Sequence, residues 1–194
     1  MVTRIGVFCG SSVGNQPAFR QAAVELAGAL ARRGFGLVYG GTRVGLMGVL
    51  ADAMLQHRGE VIGVIPQALL EREIAHAGLA DLRVVGSMHE RKALMVELAD
   101  GFIALPGGYG TLEEFCEVVT WAQLGLHHKP CGLLDVDAYF DPLLALFDGA
   151  VSAGFLPPEN RALVLTANDP EALLDRFAAY KPVNVPKWIT PAQA

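Results

Sequence analysis

The feature that most restricts the fold is an alternation of short, wholly apolar runs with longer amphipathic ones. Ile5–Cys9, Leu37–Tyr39, Val61–Ile65, Arg83–Val85, Phe102–Leu105, Cys131–Leu134 and Leu163–Leu165 read as strands. Helical periodicity fills 17–33, 45–58, 88–99, 111–124, 137–153 and 170–179, and 66–81 reads as an irregular stretch or a short helix. Strand–helix alternation of this kind gives a parallel sheet. Runs that are apolar throughout, with no polar alternation, belong to strands covered on both faces. The expectation is an α/β, doubly wound, mostly parallel sheet of about seven strands with helices on both sides.

A chain of 194 residues is long enough for one such domain, expected over 1–180. The remainder, 181-KPVNVPKWITPAQA-194, holds three prolines and little periodicity, and is expected to be an extended tail. Two helix starts are well signalled. Asp169-Pro170-Glu171 offers an N-cap, a first-turn proline and an early acid, and Ser87-Met88-His89-Glu90 fits a capping box.

Charge and composition remove several classes. A net charge of −5 with no basic run argues against a nucleic-acid surface. No stretch approaches the length of an apolar membrane span, and MVTRIGVFCGSS lacks the apolar run of a signal peptide. Cys9, Cys116 and Cys131 are odd in number and set in apolar context, as buried thiols in a reducing compartment would be. The expected location is the cytoplasm.

Three glycine-rich segments follow expected strands: 9-CGSSVGN-15, 40-GGTRVGLMG-48 and 106-PGGYGT-111. In an open parallel sheet, ligands bind beyond the carboxyl ends of the strands. Any one segment is accounted for by a tight turn. Three on one rim suggest a phosphate-bearing ligand, since glycine lets it approach backbone N–H groups. Gly10, Ser11, Gly41, Thr42 and Arg43 are the rim candidates. The segments lack G-x-G-x-x-G, and no acid follows the second strand, so a nicotinamide cofactor is not expected. G-x-x-x-x-G-K-[ST] is missing too, which removes a P-loop nucleotidase. A mononucleotide or sugar phosphate remains.

In 87-SMHERK-92, a cap at Ser87 puts His89, Arg91 and Lys92 in or near the first helical turn. Cations there are disfavoured by up to about 1 kcal/mol, so this turn either is a solvated basic face or looks at an anion. Arg91 is read as facing an anion; for Lys92 both readings stand. In 106-PGGYGTLEE-114, Thr111 as N-cap would add free helix N–H groups to those of Gly108, Tyr109 and Gly110. Glu114 would then sit at the third helical position, where capping alone explains it as well as chemistry does. Leu112, Phe115, Val118, Val119 and Ala122 make the buried stripe of that helix, with Trp121 beside it.

Other candidates are weaker. His127 and His128 have no partner at ligand spacing, so no metal is expected. Ser11 and Ser12 lack G-x-S-x-G, and Cys116 lies inside a helix.

MHERK at 88–92, PGGYGTLEE at 106–114 and TWAQLG at 120–125 closely resemble the LONELY GUY (LOG) proteins. These are cytokinin-activating phosphoribohydrolases, whose bacterial members long carried the label of possible lysine decarboxylases. CGSS at 9–12, VGLMG at 44–48, VIGVIP at 61–66 and GLLDVDAYFDPLL at 132–144 extend the likeness to about residue 180. The resemblance implies a Rossmann-like homodimer that needs no cofactor and hydrolyses the N-glycosidic bond of a nucleoside 5′-monophosphate. Its products would be an adenine-type base and ribose 5-phosphate. It implies Arg91 and Glu114 as the catalytic pair. Substrate contacts would come from Glu73, Arg91, Lys92, Gly108, Tyr109, Gly110, Thr111, Leu112, Glu113, Glu114 and Thr120.

Two departures stand out. Ser87-Met88-His89 replaces the D-M-H usual in plant members, and Gly41-Thr42-Arg43 replaces an all-glycine or Gly-Ser loop, adding a cation to the rim. A decarboxylase would need a Schiff-base lysine, and neither Lys92, Lys129, Lys181 nor Lys187 has a setting for one. The alternative from another class is a nucleotide-binding or sensing protein without turnover. Transfer from phosphoribosyl pyrophosphate is a third, without its signature of acids after a strand.

Overall fold

The computed structural model describes residues 3–71 and 75–182. Seven strands form one sheet: β1 (Arg4–Phe8), β2 (Gly36–Tyr39), β3 (Val61–Pro66), β4 (Asp81–Val85), β5 (Gly101–Ala104), β6 (Cys131–Leu134) and β7 (Val164–Ala167). Their order is β4-β3-β2-β1-β5-β6-β7, and every pairing is parallel. The fold class and all seven strands read from the sequence are present, with ends that differ by a residue or two.

The helices are α1 (Pro17–Arg32), α2 (Gly45–Gln56), α3 (Gln67–Leu70), α4 (Met88–Leu98), α5 (Tyr109–Gln123), α6 (Asp141–Ser152), α7 (Pro158–Arg161) and α8 (Pro170–Ala179). Alternate residues of a strand feed opposite faces. Ile5 and Val7 pack with Leu26, Leu50 and Leu173 under α1, α2 and α8. Phe8 and Phe102 pack with Met95, Phe115 and Phe140 under α4, α5 and the start of α6. Two apolar layers on one sheet explain why the strands carry no polar alternation.

Local signals placed several elements. Ser87 Oγ accepts from the Glu90 N–H at 3.1 Å, and the Glu90 carboxylate reaches back to the Gly86 N–H at 2.8 Å. Asp169 accepts from the Ala172 N–H at 2.8 Å, with Pro170 in the first turn. The helix expected from 137 begins only at Asp141, because Asp137 and Ala138 take positive φ values of 51° and 59°. That left-handed turn cannot continue a right-handed helix. The short α7 has no counterpart among the expected elements. The tail from 183 to 194 and Glu73 lie outside the described residues.

Strand order sets the position of the site. The chain crosses from edge strand β4, through α4, to β5 beside β1. At such a reversal the loops after the two central strands part and leave a crevice at their carboxyl ends. Here those loops stay linked at their base, where the Gly10 N–H donates to Pro106 O at 3.0 Å.

Candidate active site

The crevice is an open cleft of about 430 Å³. Its walls come from all three glycine-rich segments: Cys9 and Ser11, then Gly40, Thr42, Val44 and Met47, then Gly108–Thr111. The loops interlock through the backbone. The Leu46 N–H donates to Gly10 O at 3.0 Å, and Gly45, at φ 59°, lies so close to Ser11 and Ser12 that no side chain fits there. The 40–42 loop also accepts from the His76 N–H at Gly41 O, 2.9 Å, and bridges Thr42 to Ala75.

At the floor, the Arg91 guanidinium of α4 donates to the Glu114 carboxylate of α5. Arg91 Nε also donates to Val64 O at 3.1 Å, so the guanidinium is anchored to β3 as well. Arg91 is buried and Glu114 nearly so, at 8% and 12% side-chain exposure, which removes the solvated-face reading for Arg91. A cation in the first turns of a helix, pulled from water, needs an anion; Glu114 supplies one from the neighbouring helix. Burial pushes the Glu114 carboxyl up from its ordinary value, and Arg91 pulls it part of the way back. Beneath them the Cys9 thiol is pushed far up by burial and stays protonated.

The start of α5 differs from expectation. Its N-cap is Gly108, in an extended conformation, and Tyr109 is the first helical residue. Thr111 is not a cap; its side chain is buried at 4% exposure and packs against Gly107. Glu114 is therefore the sixth helical residue, past the reach of a capping box, and its partner is Arg91. The first intrahelical bond runs from the Leu112 N–H to Gly108 O at 3.2 Å. The preceding N–H groups of Tyr109, Gly110 and Thr111 come before the first intrahelical bond, all three residues line the cleft, and an added Cβ on Gly108 or Gly110 would meet nothing within 4 Å.

Of the remaining expected contacts, Lys92, Leu112, Glu113 and Thr120 do not line this cleft. Lys92 is buried and bonds Glu113 and Glu117 on α5. Leu112 packs on the core. Thr120 lies on a separate apolar groove with Phe147 and Phe155. Gly10 lines a smaller adjoining hollow that shares Ser11 and Gly108 with the main cleft, and Arg43 is exposed at the rim. Sequence reasoning missed the apolar side of the cleft, Val44, Met47, Leu69 and Met88. Apolar residues near loops look like ordinary core in sequence, and only the fold shows them turned to the opening. Among the described residues no three His, Cys, Asp or Glu side chains gather as a metal site.

Fold and cleft together define a Rossmann-type α/β protein with an open cleft between glycine loops and an arginine–glutamate pair at its floor. The family described as "Possible lysine decarboxylase" matches residues 47–177. The chain is 53% identical over 180 residues to the probable cytokinin riboside 5′-monophosphate phosphoribohydrolase LOGL9 of Oryza sativa subsp. japonica, covering 93% of this chain and 79% of that protein. It is 49% identical over 179 residues to cytokinin riboside 5′-monophosphate phosphoribohydrolase LOG7 of Arabidopsis thaliana, covering 92% and 82%. The chain belongs to this LONELY GUY (LOG) family.

Among solved structures it resembles the molybdenum cofactor binding protein of Rippkaea orientalis, with a TM-score of 0.69 and 23% identity, covering 92% of this chain and 97% of that one. At that identity the likeness speaks for the fold alone. The described lysines give the decarboxylase label no support. Lys92 is tied to two carboxylates, Lys129 donates to Val96 O at 2.6 Å and Lys181 is exposed, all away from the cleft.

Proposed function

We propose that this protein hydrolyses the N-glycosidic bond of adenine-type nucleoside 5′-monophosphates, releasing the free base and ribose 5-phosphate. The observation that carries the reading is the meeting of Arg91 and Glu114 at the floor of a cleft bordered by the open start of α5. Membership of the family supports it, since the curated relatives bear the name of that activity.

The 5′-phosphate docks on the N–H groups of Tyr109–Thr111, which point out of a helix start that favours anions. As the bond from C1′ to the base nitrogen breaks, positive charge grows on the ribose. The Glu114 carboxylate stabilises that charge and orients the attacking water. The water oxygen ends on C1′, one of its protons stays on the new hydroxyl, and the other leaves with the base. Arg91 has a definite task in this scheme. It counters the desolvation that raises the Glu114 carboxyl and so favours the ionised form.

The working unit is a homodimer. Helix α6 half-buries Leu143, Leu144 and Phe147 against the core, while its Leu146 and the following Phe155 are exposed at 67% and 87%. Such a face is suited to a second copy. The three cysteines are free, which suits a reducing cytoplasm, and no described helix is long and apolar enough to cross a membrane.

The test is direct. Incubation with AMP and with isopentenyladenosine 5′-monophosphate releases free base, read by chromatography. Release from neither substrate overturns the reading and favours a nucleotide-binding protein without turnover.

A further inference from the structure

Next to the Arg91–Glu114 pair runs a second contact between the same two helices. Lys92 follows Arg91 on α4, and Glu113 precedes Glu114 on α5. Lys92 Nζ bonds the Glu113 carboxylate and reaches Glu117 Oε1 at 3.0 Å, one turn further along α5. Lys92 is 9% exposed, although lysine is almost never buried unless paired. Its ammonium is sunk between the helices while Arg91 turns to the cleft. None of Lys92, Glu113 and Glu117 lines the cleft.

We infer that Lys92, held by Glu113 and Glu117, is a positioning residue that locks α4 against α5 in the register where Arg91 meets Glu114. It does so without touching the nucleotide. The inference rests on the proposed hydrolysis for its kinetic consequences only. α4 and α5 follow different strands, β4 at the sheet edge and β5 beside the central β1, so no shared turn fixes their relative position. Apolar contacts allow small sliding of packed helices, whereas an ammonium seated between carboxylates one turn apart tolerates little. A shift of about 1 Å would move Arg91 along the carboxylate it must hold, and misplacement of that size can cost up to about 100-fold in rate.

The ladder also acts through charge. Glu114 faces Arg91 and Lys92 from α4, Glu113 on its own helix and the Cys9 thiol from the end of β1. Lys92 draws the Glu114 carboxyl down and Glu113 pushes it up. Removing either neighbour should therefore shift Glu114 in opposite senses, a result that a loss of packing does not produce.

The experiment follows the Glu114 side-chain carboxyl by carbon NMR across a pH titration of the full chain, in wild type, Lys92→Met and Glu113→Gln. The expected result is a higher midpoint in Lys92→Met and a lower one in Glu113→Gln. Steady-state kinetics with AMP accompany it. Lys92→Met is expected to lose on the order of 10-fold in kcat with KM within about twofold, and Lys92→Arg to recover most of the loss. Lys92→Arg and Glu117→Gln keep the test open if Lys92→Met does not fold, since the first should retain kcat and the second lower it. A rise in KM with kcat unchanged would make Lys92 a substrate contact and overturn the inference. So would an unmoved Glu114 midpoint in both variants. A wild type that releases no base removes the functional reading, and the titration then decides the positioning role without turnover.

Discussion

Gly40 leaves the space that the Arg91 guanidinium occupies. An added Cβ would overlap Arg91 Nη2 and meet Met47 Sδ at 3.0 Å. Gly40→Ala should push the guanidinium off Glu114, lowering kcat/KM by about 10–100-fold while costing about 1–3 kcal/mol of stability. Kinetics at wild-type values would show that Arg91 has room to spare. Glu114→Gln tests the carboxylate itself. A capping glutamate would be replaced without a change in melting temperature, because glutamine caps equally well. The ion pair predicts otherwise: a buried Arg91 left without its anion lowers the melting temperature, and turnover falls by about 100–1000-fold. A melting temperature equal to wild type would count against the pair. Since burial raises the Glu114 carboxyl, and the ionised form is the working one, turnover should decline on acidification at a pH above the ordinary carboxylate range.

At the scale of elements, the caps at Ser87 and Asp169 were legible because a short side chain satisfies N–H groups three residues away. The same rule misplaced the start of α5. Thr111-Leu112-Glu113-Glu114 fits a capping box in letters, yet Gly108 takes the cap position and Thr111 is packed inward against the turn at Gly107. A degenerate local pattern lost to packing that the letters do not encode. The far end of α5 carries a pH-dependent joint. His127 donates from Nε2 to Val118 O at 2.8 Å and accepts the Lys129 N–H at Nδ1, a neutral ring buried between α5 and β6. Burial lowers its pKa to about 4. A histidine depressed in the folded state takes its proton first in the unfolded chain. Its contribution is complete above the ordinary value of about 6.5 and is lost as pH falls from there toward about 4. Chemical denaturation at pH 7 and pH 5 should show a loss, up to about 3 kcal/mol at the acid limit, that is smaller in His127→Gln. Equal losses in both proteins would assign the effect to other groups.

For the whole molecule, the apolar face of α6 and the α5–α7 groove is the feature that a single copy leaves unexplained. Apolar residues at Leu146 and Phe155 stand in water, and Thr120, Val119 and Phe147 line the groove beside them. Phe155→Glu should convert a species of twice the chain mass into one of single mass by light scattering, because a charge on that face must be desolvated on association. A wild type that is already monomeric at micromolar concentration would place the face elsewhere in the protein's life. Strand order also belongs to this scale. Brought together by β4-β3-β2-β1-β5-β6-β7, the loops after β1, β2 and β5 end on one rim although they lie up to about a hundred residues apart in the chain.

The sequence by itself determined the seven strands, the longer helices between them to within a few residues at their ends, the glycine turns and the residue types available for chemistry. Those are local matters: periodicity, turn preference and capping act over a few neighbours. Tertiary structure alone decided which charge answers which. Arg91 finds Glu114, Lys92 finds Glu113 and Glu117, and Thr120 falls on a different face from the cleft. Each of those pairings spans more than twenty residues and depends on α4 and α5 lying side by side on one face of the sheet. A buried cation takes the anion that packing brings within reach, and only the packed sheet and its helices settle which one that is.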